Sequence, residues 1–250
     1  MNKKKFLIGL CAAMCVSTLF FSCKKEKIVV NSDGGNLYQP YMPLEIGKYI
    51  IYNVDSFYWD EARCLKITRS SQHEYLVTDT FRDNQKRLSY VINVLERKND
   101  TSQFVSGDVF YITPGAERLE YVEKNIRYMR LINPVKNNQT WLGNSLLPAE
   151  DKDYDWLKGW NYTYTNVMQA YDNGKMKFDN TISVVETNQV LNNPETNPND
   201  YGYLLQSQSV YAFRVGMVFH EFIYWTYDPV PMAKNCRKGK GVTMRAIEHN

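Results

Sequence analysis

The chain has 250 residues, 44% of them hydrophobic, with 30 lysines and arginines, 27 aspartates and glutamates, and a formal net charge of +3. Residues 1–22 contain three lysines and no acid, so without them 27 basic residues face 27 acidic ones. A neutral chain lacks the electrostatic footprint of a nucleic-acid-binding protein, and it has no charge excess that would hold it on an acidic membrane surface.

The N-terminus predicts a lipoprotein signal peptide over residues 1–22. Lysines at 3–5 precede an uncharged run, residues 6–21. That run is shorter than the ~20 apolar residues that cross a bilayer, and a basic segment before a short apolar run is typical of a secretory signal. An uncleaved membrane helix is the alternative.

Cys23 is the predicted lipidation site. Ser22 is small but Phe20 is bulky, which makes a poor ordinary cleavage site and a tolerable lipobox, in which the residue after the cut is cysteine. The thiol would carry a diacylglyceryl group and the freed amine a further acyl chain such as palmitate; two or more chains give stable anchoring. We therefore expect a lipid-anchored protein of the bacterial cell envelope, on the outer membrane, with periplasmic or surface display left open.

The rest of the chain divides into a tether and one domain. Residues 24–38 mix charges with polar residues and glycines and show no periodicity, so residues 23–38 predict the lipidated cysteine and a flexible tether. Fifteen residues reach at most ~50 Å. Residues 39–250 predict a single β-rich domain.

Alternating apolar and polar residues predict strands along this domain. Ile50, Tyr52 and Val54 fall on one face of the first strand, at about 48–59. Turn signals at 114–115 and 172–174 separate later runs, and only 149–160 favours a short helix. We predict a mainly β fold: a single antiparallel, strongly curved sheet, half-barrel or sandwich-like, with at most one or two short helices. The other predicted strands cover 74–81, 87–94, 108–113, 118–123, 126–133, 160–167, 178–187, 204–213, 216–227 and 242–247.

Two cysteines remain once Cys23 carries lipid. Cys11 and Cys15 would leave with the signal peptide, so Cys64 and Cys236 are the candidates for one disulfide in an oxidising compartment. Two separate buried thiols are the alternative.

Residues with chemical potential are few. Asp151, Asp153 and Asp155 begin like a calcium loop, but Trp156 stands at the glycine position; an acidic surface loop or helix start is the simpler interpretation. His220 and its neighbour Glu221 would point to opposite faces of a strand. Catalytic, phosphate-binding and zinc motifs are missing, so we expect no enzyme, metal or cofactor.

Two further patterns concern surfaces. Aromatic residues cluster in "SFYWD", "WNYTYT" and "FIYWTY"; they either fill the β core or, where exposed, stack on a sugar or contact a partner. The basic residues of 236–245 are interpreted as a solvated turn.

Several segments together resemble a group of uncharacterised Bacteroidota cell-envelope lipoproteins. The segments are "PLEIGKYIIYNVDS" (43–56), "WLGN" (141–144), "WNYTYTNV" (160–167), "FDNTISV" (178–184), "VYAFRVGMVFHEFIYWTYDP" (210–229) and "CRKGKGVTMRA" (236–246). The resemblance implies an envelope lipoprotein with a mainly antiparallel β domain. It implies no activity.

The sequence is compatible with three functions. The first is a non-catalytic, membrane-anchored lipoprotein that binds a protein, glycan or lipid partner. The second is an envelope glycan or peptide hydrolase, and the third is a lipid or lipoprotein carrier, which would need an apolar concave face.

Overall fold

The structure, a computed structural model, describes residues 37–148, 150, 152–229 and 236–250. The predictions for residues 1–22, for Cys23 and for most of the tether lie outside this part of the chain. Tyr38, predicted to end the tether, is instead fully buried. Its backbone N–H donates to Asn133 Oδ1 (2.8 Å), and the N–H of Gly115 donates to its hydroxyl (2.9 Å). The folded domain therefore begins before residue 39.

The described residues form twelve strands and two short 3-10 helices. The 3-10 helices are Gln39–Tyr41 (η1) and Lys152–Leu157 (η2). The strands are Tyr49–Asp60 (β1), Leu65–Arg82 (β2), Leu88–Arg97 (β3), Val105–Pro114 (β4), Arg118–Glu123 (β5), Ile126–Ile132 (β6), Thr140–Leu142 (β7), Asn161–Asp172 (β8), Lys177–Leu191 (β9), Gly202–Ala212 (β10), Gly216–Tyr227 (β11) and Arg237–His249 (β12).

The strands form one antiparallel sheet in the order β6-β5-β4-β3-β2-β1-β12-β11-β10-β9-β8-β7. Consecutive strands pair within β1–β6 and within β7–β12, and β1 joins these two halves by pairing with β12. Because β6 and β7 are neighbours in the chain, the two ends of the sheet have to approach each other. The prediction of a single, strongly curved antiparallel sheet with little helix is confirmed.

Hydrogen bonds join the two ends of the curved sheet. The backbone N–H of Met129 on β6 donates to the carbonyl of Gly143 after β7 (2.7 Å), and the indole of Trp141 on β7 donates to the carbonyl of Met129 (2.8 Å). The hydroxyl of Tyr164 on β8 bonds both backbone groups of Ile132. These contacts occupy polar groups that an open sheet edge would expose, so the sheet nearly closes on itself.

Tyrosine fills much of the interior. Tyr52, Tyr162, Tyr164 and Tyr211 are each at most 1% exposed, and buried tyrosine needs a partner for its hydroxyl. Tyr52 donates to the carbonyl of Met217 (2.7 Å). Side chains of β3–β5 and of β8–β10 share one hydrophobic cluster although these strands are not neighbours, so the core lies on the concave side.

Two stretches differ from the sequence-based interpretation. β2 begins at Leu65, well before the predicted 74. The basic residues of 236–245 do not form a turn: β12 begins at Arg237 and pairs with β11 from there. Among the described residues, no helix is long and apolar enough to span a membrane.

Candidate functional site

A cavity of about 640 Å³ opens inside the curve of the sheet. We call it the concave cleft. Its walls come from β5 and β6 on one side and from β8–β12, β1 and β2 on the other, with η2 at its border. Its lining residues are Ser56, Phe57, Tyr58, Arg69, Glu123, Lys124, Tyr128, Arg130, Trp156, Leu157, Trp160, Tyr162, Glu186, Ser207, His220, Phe222, Lys240, Gly241 and Val242.

A smaller cavity of about 190 Å³ adjoins the cleft. It shares Glu123, Arg130 and His220 with the cleft, so these three side chains separate the two spaces. Glu96 and Asp108 add acidic groups on the side of the smaller cavity.

A buried ion pair lines the cleft, and its arginine also borders the smaller cavity. The Arg130 guanidinium lies 3.1 Å from the Glu186 carboxylate, and their side chains are 18% and 1% exposed. The Arg130 guanidinium also donates to the hydroxyl of Tyr162 (3.3 Å) and lies over the ring of Tyr128, 4.8 Å from its centroid.

Both members of this pair occupy β-bulges. On β6, Leu131 and Met129 pair with successive residues of β5, which leaves Arg130 as the extra residue. On β9, Thr187 and Val185 pair with successive residues of β10, which leaves Glu186 as the extra residue. A bulge redirects a side chain and is frequent beside functional sites. The two bulges thus bring opposite charges into an interior that is otherwise largely apolar.

Two serines and a histidine complete the polar network. The hydroxyls of Ser207 and Ser209 donate to the two oxygens of Glu186, at 2.6 and 2.7 Å. Ser209 also lies 3.0 Å from Nδ1 of His220, its cross-strand neighbour on β11. Each buried polar group in this network therefore has a partner, as burial requires.

The electrostatics follow from burial and from this network. Burial alone raises the pKa of Glu186, but Arg130, His220 and the two serine hydroxyls lower it, and the result is a pKa below the usual value. Burial lowers the pKa of His220 below its usual value, although Glu186 acts in the opposite direction. At neutral pH, Glu186 is therefore ionised and His220 is neutral.

The network differs from a nucleophilic catalytic site. In a serine triad the acid orients the histidine, and the histidine activates the serine. Here the Glu186 carboxylate accepts directly from Ser209, which is 1% exposed. The Ser209 hydroxyl is thus hydrogen-bonded to a carboxylate and enclosed. We interpret the network as one that holds the Arg130 side chain in position.

Aromatic side chains line the cleft between its charged groups. Trp156 is 50% exposed and Tyr58 is 40% exposed. The rings of Trp160 and Phe222 pack against Trp156. Flat, accessible rings of this kind suit the apolar faces of a ligand.

Basic groups outnumber acidic groups in the lining of the cleft. Arg69, Lys124, Arg130 and Lys240 oppose Glu123 and Glu186. Lys240 comes from the segment that the sequence suggested to be a turn, and β12 places it on the cleft wall. The cleft therefore favours a ligand with negative charge.

The predicted site residues lie elsewhere. Cys64 and Cys236 are joined by a disulfide, with an S–S distance of 2.20 Å, which ties the β1–β2 connection to the start of β12. Asp153 and Asp155 lie exposed on η2, where Asp155 pairs with Lys158 (2.5 Å), and Asp151 lies outside the described residues. Within the described part of the chain, no group of three or more His, Cys, Asp or Glu side chains could hold a metal ion.

His220 and Glu221 do point to opposite faces. His220 lines the cleft, whereas Glu221 accepts from Gln208 (3.2 Å) on the other face of the sheet. Sequence reasoning passed over Arg130, Glu186 and Trp156 as site residues. Only the exposed aromatic interpretation pointed toward the cleft, and it holds for Tyr58 of "SFYWD", while Tyr162 and Tyr164 of "WNYTYT" fill the core.

Comparison with known proteins gives little beyond this geometry. No protein-family model matches the chain, and no curated protein matches it. One solved structure from Bacteroides fragilis, described as a candidate exported protein with a YmcC-like fold, aligns with a TM-score of 0.33 and 11% identity, over 84% of this chain and 98% of that one. A TM-score at this level supports no functional argument.

Proposed function

We propose that the chain is a non-catalytic, lipid-anchored binding protein of the bacterial cell envelope, and that the concave cleft binds an acidic saccharide. The anchor at Cys23, and with it the outer-membrane location, rests on the sequence alone. The ligand class rests on one observation: exposed aromatic rings lie beside an excess of basic groups in a cavity of about 640 Å³.

The size and lining of the cleft support this ligand class. Small-molecule sites typically measure about 300–1,000 Å³ and combine aromatic walls with a few placed polar groups. Trp156 and Tyr58 offer exposed rings, while Arg130 offers guanidinium donors held in place by Glu186. Because a guanidinium matches a carboxylate in two parallel hydrogen bonds, Arg130 would bind the acidic group of the sugar.

The same lining argues against a lipid carrier. An acyl chain in the cleft would bury Arg130 and Glu123 against hydrocarbon, which is costly. The apolar cavity near Met42, Ile50 and Met217 measures about 40 Å³, far too small for an acyl chain.

A hydrolase has weaker support than a binding protein. Two carboxylates, Glu123 and Glu186, line the cleft. Glycoside hydrolysis needs one carboxyl group with a raised pKa as proton donor. The pKa of Glu186 is lowered instead, and both its oxygens accept hydrogen bonds from serines.

Calorimetric titration tests the proposed ligand. The mature chain carrying Cys23→Ser would be titrated with oligosaccharides that contain uronic or sialic acid, and with neutral oligosaccharides of the same length. We expect binding of acidic members only, weakened at least tenfold by Trp156→Ala or Lys240→Gln. Tyr201→Ala is the matched control, because Tyr201 is 47% exposed and is not part of the cleft lining.

Two results would overturn the proposal. One is the absence of binding across the acidic panel, or binding that Trp156→Ala leaves unchanged. The other is release of reducing sugar by the purified chain with loss of that activity in Glu123→Gln, which would show an enzyme.

A further inference from the structure

A second cavity, of about 580 Å³, lies on the opposite face of the sheet. On β5, Leu119 and Tyr121 face the core and Glu120 between them faces outward. We call the cavity around Glu120 the arginine pocket; it shares no lining residue with the concave cleft. Its lining residues are Phe81, Arg82, Asp83, Asn84, Gln85, Arg87, Ser89, Tyr111, Thr113, Arg118, Glu120, Val122, Arg127 and Leu146.

Three arginines converge on one buried carboxylate in this pocket. Arg87 and Arg118 contact Glu120 at 3.0 and 2.7 Å, and Arg127 bonds the same group. Asp83 takes a second contact from Arg87 at 2.7 Å. Glu120 is 1% exposed, so it forms the base of the pocket.

The pocket has more cationic groups and donors than its two acids can satisfy. Arg82, Arg87, Arg118 and Arg127 oppose Asp83 and Glu120, an excess of two positive charges. The three arginines around Glu120 have about fifteen N–H donors, whereas two carboxylates offer about eight lone pairs. The arginines remain accessible: the side chains of Arg87, Arg118 and Arg127 are 28%, 45% and 34% exposed.

Glu120 organises the arginines and does not compete for the space above them. Burial raises its pKa, but the hydrogen bonds from the three arginines outweigh burial and lower the pKa to about 2. Glu120 therefore stays ionised at neutral pH and holds three flexible side chains in one place. Holding them in advance removes an entropic cost that a bound anion would otherwise impose.

We infer that the arginine pocket binds a phosphoryl group with two negative charges, either free or on a lipid headgroup. Arginine is the preferred residue for phosphate because its planar fork donates two parallel hydrogen bonds. The pocket is larger than a phosphate group alone. Phe81 and Tyr111 border it with half-exposed rings, whose centroids lie 5.0 Å apart, and these rings would contact the apolar part of a larger phosphorylated molecule.

The described chain begins close to the arginine pocket. The hydroxyl of Tyr38, next to the start of the described chain, lies 2.5 Å from the carbonyl of Gly115 and 3.0 Å from the carbonyl of Arg118. The segment that leads back to Cys23 therefore joins the domain at the strand that contains Arg118 and Glu120. Fourteen residues separate Cys23 from Tyr38, and the chain between the two reaches at most ~50 Å. A lipid headgroup as the source of the phosphoryl group requires the proposed lipid anchor, whereas the binding of a phosphoryl group does not.

The test uses the mature chain with Cys23→Ser, so that no acyl chain contributes to binding. Inorganic phosphate is titrated by calorimetry at constant ionic strength. Co-sedimentation then compares vesicles of phosphatidylcholine with vesicles that contain 20 mol% phosphatidic acid. The variant is Arg118→Gln/Arg127→Gln, and the matched control is Arg63→Gln/Arg214→Gln, which removes two arginines that do not line the pocket.

We expect the wild-type chain and the control to bind, and the pocket variant to bind at least tenfold more weakly. Binding to phosphatidic acid vesicles identifies the headgroup as the source, and binding of inorganic phosphate without vesicle binding identifies a soluble phosphoryl compound. No binding of either probe, or equal binding by the pocket variant, overturns the inference. Because the concave cleft is untouched, loss of phosphate binding with saccharide binding retained separates the two proposals.

A folding defect in the double variant would not block the test. Arg118→Gln alone removes one exposed guanidinium group and leaves Arg87 and Arg127 on Glu120. Hydrogen exchange of the wild-type chain adds an independent readout: phosphate should protect backbone amides in residues 82–89 and 118–127. Exchange that phosphate leaves unchanged in both segments would also overturn the inference.

Discussion

Replacing Arg130 by methionine should destabilise the fold by about 3 kcal/mol at pH 7. Methionine keeps most of the volume, so the main effect is on Glu186, which stays 1% exposed with two serine hydroxyls as its remaining partners. Removing one member of a buried pair typically costs 3–5 kcal/mol. The loss of folding free energy has an upper limit, because Glu186 can be protonated and then no longer carries a buried, unpaired charge.

That limit can be worked out from the ordinary pKa of glutamate. Protonating a carboxyl group with a pKa of about 4.5 at pH 7 costs roughly 2.5 pKa units at 1.36 kcal/mol each, or about 3.4 kcal/mol. In the variant the folded-state pKa of Glu186 rises above its unfolded value. The destabilisation should therefore shrink by about 1.4 kcal/mol for each pH unit below 7, until pH approaches 4.5.

Urea unfolding of the mature Cys23→Ser chain at pH 7 and at pH 5 measures this effect. The double variant Arg130→Met/Glu186→Gln is the control, because it removes both charges and should lose far less stability than Arg130→Met alone. An equal loss at both pH values, or a double variant as unstable as the single one, would refute the reasoning.

Three further predictions concern other parts of the chain. Alkylation of the unreduced protein should find no free thiol at Cys64 or Cys236. Cys236→Ser should destabilise the protein by up to about 5 kcal/mol, because the disulfide joins residues 172 positions apart and so closes a long loop in the unfolded chain. Glu120→Gln should lower the free energy of unfolding by about 1–2 kcal/mol at pH 7, as measured by urea unfolding. The lowered pKa of Glu120 stabilises the folded state above pH ~4.5, and this stabilisation is lost as the pH falls toward about 2. At that pH, wild type and variant should have equal free energies of unfolding. Cys23→Ser should abolish metabolic labelling with palmitate and release the chain from the membrane fraction, and a variant that remains membrane-bound would contradict lipid anchoring.

The sequence predicts the strands where one face meets the core. In β1, Ile50, Tyr52 and Val54 recur at every second position and are buried. The first part of β2 shows no such signal, because from Leu65 to Ser70 each residue is at least partly exposed. The start of β12 is missed for a related reason: its lysines border solvent and the cleft, so they resemble a polar turn.

The sequence does not predict the concave cleft, because β-bulges place its central pair. Period-two alternation assigns faces only while the register holds. Arg130 and Glu186 are the extra residues of two bulges, so alternation cannot assign the direction of their side chains. The pair also joins β6 to β9, which contact each other only after the sheet has curved. The arginine pocket has the same difficulty, since its arginines come from three separate segments.

The energetics of the ion pair indicate why the fold keeps it. A buried pair is often no more stabilising than apolar residues of the same volume, and an interior filled by tyrosine could have been completed by further apolar side chains. The two bulges also interrupt the hydrogen bonding of the sheet. Stability alone therefore does not explain why Arg130 and Glu186 are present. A binding site explains them directly, because Arg130 faces the cleft with N–H donors that Glu186 and Tyr162 do not use. On this argument Arg130→Met/Glu186→Gln should stay folded and lose affinity for acidic saccharides, and a folded double variant with unchanged affinity would show that the pair serves the fold alone.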